Sequence, residues 1–444
     1  MTNKLNLLQD LIKRAQATGA DAADAVFAEG TSLSVSWRMG EVEQLDRSEG
    51  QDLGLRVFVG QSQAIVSSSD TGTEALNELV ERAVAMARSV PEDPYAGLAD
   101  PEQLATEFPD CDMFDPSQPS AEDLKDMART AEDAGLAVDG VSQCEGAGAA
   151  FSQARVSIAA SNGFAHTYQR SSHSISASMV AGEGTGMERD YDYSGSVWAE
   201  GLLKPEDIGK NAGEKAVKRL NPQKAKTAQL PVIFESRVAR TLLGHLSSAI
   251  NGASIARGTS FLKDKMGEQI FAPGITVVDD PHRLRGLRSA PFDDEGLATT
   301  KRDLIEDGRL TTWVMDLRSA RQLGLESTGH ASRGVSSAPS PSCSNLYLSP
   351  GLQSVKDMIK DIEQGFFITE LIGMGVSTIT GDYSRGASGF WIENGVLTHA
   401  VSEVTVAGNL TDIFKNLTPA SDLEFRYGMD APSVRVDGMT IAGI

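Results

Sequence analysis

A chain of 444 residues is longer than one hydrophobic core serves, so two domains are expected. Its 61 Asp and Glu against 40 Lys and Arg leave a formal net charge of −21. That sign, without a basic stripe, excludes a partner bound through counterion release, so no direct nucleic acid is expected. The three cysteines, Cys111, Cys144 and Cys343, are far apart, odd in number and form no CxxC pair, which points to a reducing compartment.

Leu5, Leu8, Leu11, Ile12 and Ala15 recur at helical spacing and predict an opening helix that Gly19 ends. This start has neither an uninterrupted apolar core nor a small-residue cleavage site, so it is not a signal peptide. No later run approaches the roughly 18 apolar residues of a membrane span. A cytoplasmic location with no membrane contact is the expectation. The pieces SLSVSW, LGLRVFVG and QAIVSSS read as strands. A strong helix follows in TEALNELVERAVAMARSV, with Leu76, Leu79, Val80, Ala83, Val84 and Ala87 on one face. Residues 91–119, rich in Pro and Asp, read as a long connection. Ser120 with Asp123 resembles a capping box. Strands resume in RVSIAA, FAHTYQR and SHSISASMV, and a helix from about Pro205 to Leu220 closes the half. Asn221-Pro222 stops it, which places the division at 1–222 and 223–444.

The second half reads as mostly strands. LPVIFE leads into a helix with Ser236 as its expected N-cap. ITVVDD and RLTTWVM are strand candidates. Asp307-Gly308 and Asn394-Gly395 are two-residue hairpin signals. The fold class is therefore α+β: an α/β N-terminal half followed by a β-rich C-terminal half.

The helix RTLLGHLSSAINGA, residues 240–253, holds one histidine. Zinc-peptidase helices need a second histidine on the same face and an adjacent glutamate. His245 falls just off the edge of the apolar arc, where a ring is expected to pack and bond locally. Thr241, Leu242, Ser248 and Ala249 stand one turn away, and none is a good zinc ligand. The six histidines form no HxH or HxxxH pair. GEGTG at 182–186 lacks a P-loop lysine and reads as a hairpin loop. Asp279 and Asp280 before His282 read as a turn, and Cys343 as a structural thiol.

GDYSRGASGFWIENG, residues 381–395, resembles the signature of the PmbA/TldE proteins, partners of TldD and long labelled modulators of DNA gyrase. VSEVTVAGNLTDIFKNL, TTWVMDLRSARQLGLESTGH, GHLSSAINGASIARGTSFL and the closing GMDAPSVRVDGMTIAG are similar too, so the resemblance covers nearly the whole chain. In TldD members the matching helix carries His-Glu-x-x-x-His, and a later cysteine completes a zinc site. Aligned on RGTS at 257–260, those three positions fall on Leu243, Gly244 and Ser248, and no cysteine follows Phe425. The resemblance thus implies no metal and no catalytic residue in this chain. It implies zinc in a TldD-like metalloprotease partner, a heterodimer enclosing the site, and peptides or unfolded proteins, including an antitoxin, as substrates. Asp382, Tyr383, Arg385 and His330 are the candidate substrate-chamber residues, the first three in a stretch read as a polar loop with Gly381 and Gly386, flanked by apolar strands. The competing structural reading of 381–386 is a demanding turn braced by an Arg–Asp pair. Two further readings stand beside the subunit: a regulatory binder of DNA gyrase or of a toxin–antitoxin system, and a self-sufficient peptidase. A homodimer of the lone chain is left open.

Overall fold

The computed structural model describes residues 2–443. The N-terminal half carries α1 (Thr2–Ala17), β1 (Ala22–Arg38), β2 (Glu41–Val59), β3 (Ser62–Ser68), α2 (Thr73–Ala87), α3 (Ala121–Leu136), β4 (Val141–Ala160), β5 (Ala165–Ala181), β6 (Glu188–Ser196) and α4 (Pro205–Lys218). Its six strands form one sheet in the order β3-β2-β1-β4-β5-β6, antiparallel throughout. Side chains alternate across it. Ala23, Ala25 and Phe27 of β1 meet α1 and α2, and Ile175, Ala177 and Met179 of β5 meet α3 and α4. The opposite face, through Val26, Ile158 and Phe164, packs on Phe292 of the other half. The six apolar positions expected on α2 are its six buried residues. The Ser120–Asp123 capping box opens α3.

The C-terminal half carries β7 (Ala228–Phe234), α5 (Ser236–Ala249), α6 (Gly252–Ala256), β8 (Val277–Asp279), β9 (Arg302–Glu306), β10 (Arg309–Leu310), α7 (Leu317–Leu323), β11 (Ala331–Ser332), β12 (Ser340–Pro341), β13 (Leu346–Leu348), α8 (Val355–Ile359), β14 (Gln364–Ile372), β15 (Asp382–Glu393), β16 (Val396–Asn409), α9 (Leu410–Lys415), β17 (Leu417–Pro419), β18 (Met429–Asp430) and β19 (Val434–Ala442). One sheet runs β16-β15-β14-β7-β19-β17, and a further β16–β19 pairing closes five of its strands into a barrel. The other runs β10-β9-β8-β13-β18. A single large core, holding Phe234, Leu242, Leu246, Phe366, Tyr383 and Val406 among others, fills the space around α5. The fold is α+β, as expected. Among the described residues no helix is long and apolar enough to cross a membrane.

Both hairpin signals form. Asp307 and Gly308 have φ of 46° and 77°, and Asn394 and Gly395 have 49° and 77°, the paired positive values of a type I′ turn. Three local expectations are corrected. The N-cap of α5 is Glu235, not Ser236, and it makes no side-chain cap bond; its carboxylate instead takes Nε of Arg237 at 2.7 Å. RLTTWVM pairs as a strand only at Arg309–Leu310. Beyond that, Val314 donates its N–H to the Ile250 carbonyl at 3.0 Å, so its backbone is satisfied by the loop after α5. The 381–386 stretch is a strand rather than a loop: only Gly381 (φ 77°) turns, and Asp382 already pairs with Asn409 in the ladder.

The long connection straps the two halves together. Arg321 donates to the carbonyls of Tyr95 (3.3 Å) and Leu98 (2.6 Å). Ala105 N–H bonds Gly296 O at 2.9 Å, and Phe108 stacks on His166 with centroids 3.9 Å apart. A buried ion triad adds to the junction. Asp24 of β1 takes Nε of Arg56 at 3.0 Å and Nη1 of Arg333, from the C-terminal half, at 2.6 Å. Gly54 lies so close beside it that a Cβ there would stand 1.8 Å from Val335 O.

Candidate functional site

Helix α5 starts where β7 ends. Val238, Thr241 and His245 recur along it at helical spacing. His245 meets the Tyr383 ring edge-on at 6.0 Å, and Tyr383 meets Phe234 at 6.5 Å. The ring of His245 packs as expected, but it does not bond locally as expected. Among the described residues, its buried Nε2 has no hydrogen-bond partner, and neither has the Tyr383 hydroxyl. Burial, and then the positive charge of Arg385, hold the His245 pKa below its ordinary value, which favours the neutral imidazole. Burial pushes the Tyr383 hydroxyl up.

Strand alternation divides the expected site. Tyr383 and Arg385 are two apart and share a face of β15. Asp382 lies on the other face, exposed, where its carboxylate accepts from Thr380 Oγ1 at 2.6 Å and Asn409 Nδ2 at 3.3 Å. The Arg–Asp brace is therefore not formed. Arg385 reaches only the Leu371 carbonyl, at 3.5 Å, and its buried Nε is unpartnered among the described residues. His330 stands apart from this group, in a cavity of about 280 Å³ lined also by Asp279, Asp293 and Arg170. Its Nδ1 is 2.9 Å from Thr328 Oγ1 and its Nε2 3.2 Å from Asp279 Oδ2. The acid that the sequence sets near His282 thus serves His330, while His282 bonds Thr299 Oγ1 at 2.9 Å. Cys343 is a buried free thiol 3.2 Å from Ser247 Oγ, and burial pushes its pKa up to about 12.

Sequence reasoning missed Thr369, whose buried hydroxyl on β14 is also unpartnered. It shares a cavity with Arg385, Thr241 and Arg240. Only an unexplained polar residue inside the apolar run FFITELI signalled it.

Zinc does not fit α5. Leu243 is buried in the apolar core, Gly244 has no side chain to offer, and the exposed Ser248 gives its hydroxyl to the Gly244 carbonyl at 2.9 Å. Among the described residues no group of three or more His, Cys, Asp or Glu side chains is placed to hold a metal ion.

Comparison with known proteins places this architecture. Residues 23–87 match domain 1 of the PmbA/TldA metallopeptidases, 114–220 their central domain, and 227–443 their C-terminal domain. Three such domains in series define a metallopeptidase-type chain. The metalloprotease PmbA of Escherichia coli O157:H7 is 40% identical over 427 residues, 96% of this chain and 93% of that one. A PmbA homologue of Haemophilus influenzae is 36% identical, over 97% and 94%. The chain belongs to the PmbA/TldD family. Among solved structures, a candidate modulator of DNA gyrase from Bacteroides thetaiotaomicron superposes with a TM-score of 0.92 at 25% identity over all of both chains. TldE of Thermococcus kodakarensis has the same fold, with a TM-score of 0.88 at 22% identity over 98% of this chain and all of that one.

Proposed function

We propose that the chain is the TldE/PmbA-type subunit of a two-chain metalloprotease that degrades or processes peptides. It binds substrate and encloses the site, and a TldD-like partner supplies the zinc. The observation that carries this is α5, with Leu243, Gly244 and Ser248 where the zinc-bearing members have ligands and base. Such a subunit contributes walls and peptide contacts rather than a reacting group. Extended peptides can also add to a strand edge through backbone hydrogen bonds. β3 and β6 are the edges of the N-terminal sheet.

The test is metal analysis and peptide hydrolysis of the purified chain alone and mixed with a family member bearing His-Glu-x-x-x-His. The expected result is hydrolysis only in the mixture, with the zinc following the partner. About one zinc per chain retained through dialysis and lost on mutating α5 would refute the assignment, as would turnover by the chain alone.

A further inference from the structure

Arg385 opens into a cavity of about 220 Å³ between the two halves, walled by β6, α4's end, α5, β14 and β15. Five arginines line it against two carboxylates, Asp190 and Glu370. Three of the five are neutralised. Arg237 forks onto Asp190 at 2.6 and 3.0 Å. Arg219 meets Asp190 at 3.4 Å and bonds Glu370. Arg189 pairs with Glu145 at 3.2 Å. The other two, Arg240 and Arg385, have no carboxylate within ion-pair distance among the described residues. Arg240 lies 4.3 Å over the Tyr427 ring and gives Nε to the Arg237 carbonyl at 3.1 Å, so its terminal nitrogens are held in place. Arg385 has an unpartnered buried Nε, and the unpartnered Thr369 hydroxyl lines the same cavity.

Buried donors without acceptors are costly and rare in folded proteins. Here two surplus positive charges, an orphaned guanidinium N–H and an orphaned hydroxyl all belong to residues that line one small space. We infer that this cavity is a binding site for a peptide carboxylate, held by the Arg385 and Arg240 guanidiniums and the Thr369 hydroxyl. A guanidinium fork matches the planar two-oxygen acceptor of a carboxylate. Asp190 and Glu370 on the same wall disfavour a phosphate dianion. That the carboxylate arrives on a peptide rests on the proposed function; the site itself does not.

The experiment measures binding to the full-length chain by fluorescence anisotropy, using three short labelled peptides of otherwise uncharged sequence. One has a free C-terminus, one is amidated, and one is amidated with an internal glutamate. The expected result is that the fully neutral amidated peptide binds at least about tenfold more weakly than one or both carboxylate-bearing peptides. Which of those two binds identifies the chain end or the acidic side chain as the source. Arg385→Met and Arg240→Met should each abolish that preference. Thr369→Val, the mildest of the changes, should lower it in a chain whose melting temperature is kept. Equal affinity for all three peptides, or an undiminished preference in the folded Arg385→Met and Thr369→Val chains, overturns the inference. The two proposals fail separately. Hydrolysis by the mixed subunits without any carboxylate preference leaves the peptidase reading standing alone. A carboxylate preference without hydrolysis leaves only the site.

Discussion

Asp24→Asn tests whether the two halves are held by charge as well as by packing. Asp24 is buried, and so are Arg56 and Arg333. Arg333 has no second anchor, because its Nε and Nη2 are unpartnered among the described residues. An asparagine of nearly the same shape would leave two buried guanidiniums facing a neutral amide. Removing one partner of a buried ion pair costs about 3–5 kcal/mol, because the abandoned charge stays desolvated. Urea unfolding at pH 7 should show a loss of that size. The pH dependence carries the sign. Burial alone would raise the Asp24 pKa, but Arg333 and then Arg56 outweigh it and hold the carboxyl below its ordinary value. A depressed folded pKa contributes stability above the unfolded value of about 3.9, and that stability is lost only as pH falls through the folded value. The deficit of the mutant should therefore be flat from pH 5 to 8 and shrink in stronger acid. A loss below about 1 kcal/mol, the usual worth of an exposed pair, would refute this account of the junction. So would a deficit that changed between pH 5 and 8.

Glu295 titrates in the opposite sense: burial, and then the charge of Asp293, push its pKa up to about 8. A raised folded pKa gives stability that is complete below the unfolded value and lost as pH rises through the folded one. Glu295→Gln, whose amide oxygen can still accept from Leu317 N–H, should stabilise the chain at pH 8.5 by at least about 1.4 kcal/mol, the worth of one pKa unit. It should also flatten the melting temperature between pH 5 and 8.5; an unchanged slope would count against it. Tyr383→Phe removes a buried hydroxyl that has no partner and should raise stability by about 1 kcal/mol; a loss above 1 kcal/mol in chemical denaturation would show that the hydroxyl is satisfied. The chain should not bind duplex DNA at near-physiological salt, since a charge of −21 repels the phosphate backbone; a sub-micromolar affinity that falls steeply with added salt would contradict this.

What was legible in the sequence was local. α2 declares itself because its apolar stripe is one face of one helix, and the Asn394-Gly395 turn because its backbone admits few residues. The first part of β2 is different. Its residues Glu41–Gly50 are exposed, so no alternation marks them, and only pairing with β1 makes them a strand. The site shows the same division. Tyr383 and Arg385 could be singled out, but the reading of a loop hid that Asp382 faces away. Their companions Thr241, His245 and Thr369 come from other elements and are brought beside them by the barrel. The segment 91–119, which looked like slack, is spent on contacts between the halves.

The closing of the barrel sets an order of events. β7 opens the C-terminal half, and its ladder partner β19 lies some two hundred residues on, pairing also with β16 and β17. Contacts so distant along the chain are slow to form. The N-terminal sheet is two three-stranded meanders joined through β1 and β4, so it can be complete while the ribosome is still making the rest. The barrel cannot be complete then, because its keystone strand β19 emerges only some two hundred residues after β7. Until that strand docks, β7 and β16 present open edges, the kind of surface that pairs with a neighbouring chain. A nascent or clipped chain lacking β19 is thus the form of this protein most prone to aggregate.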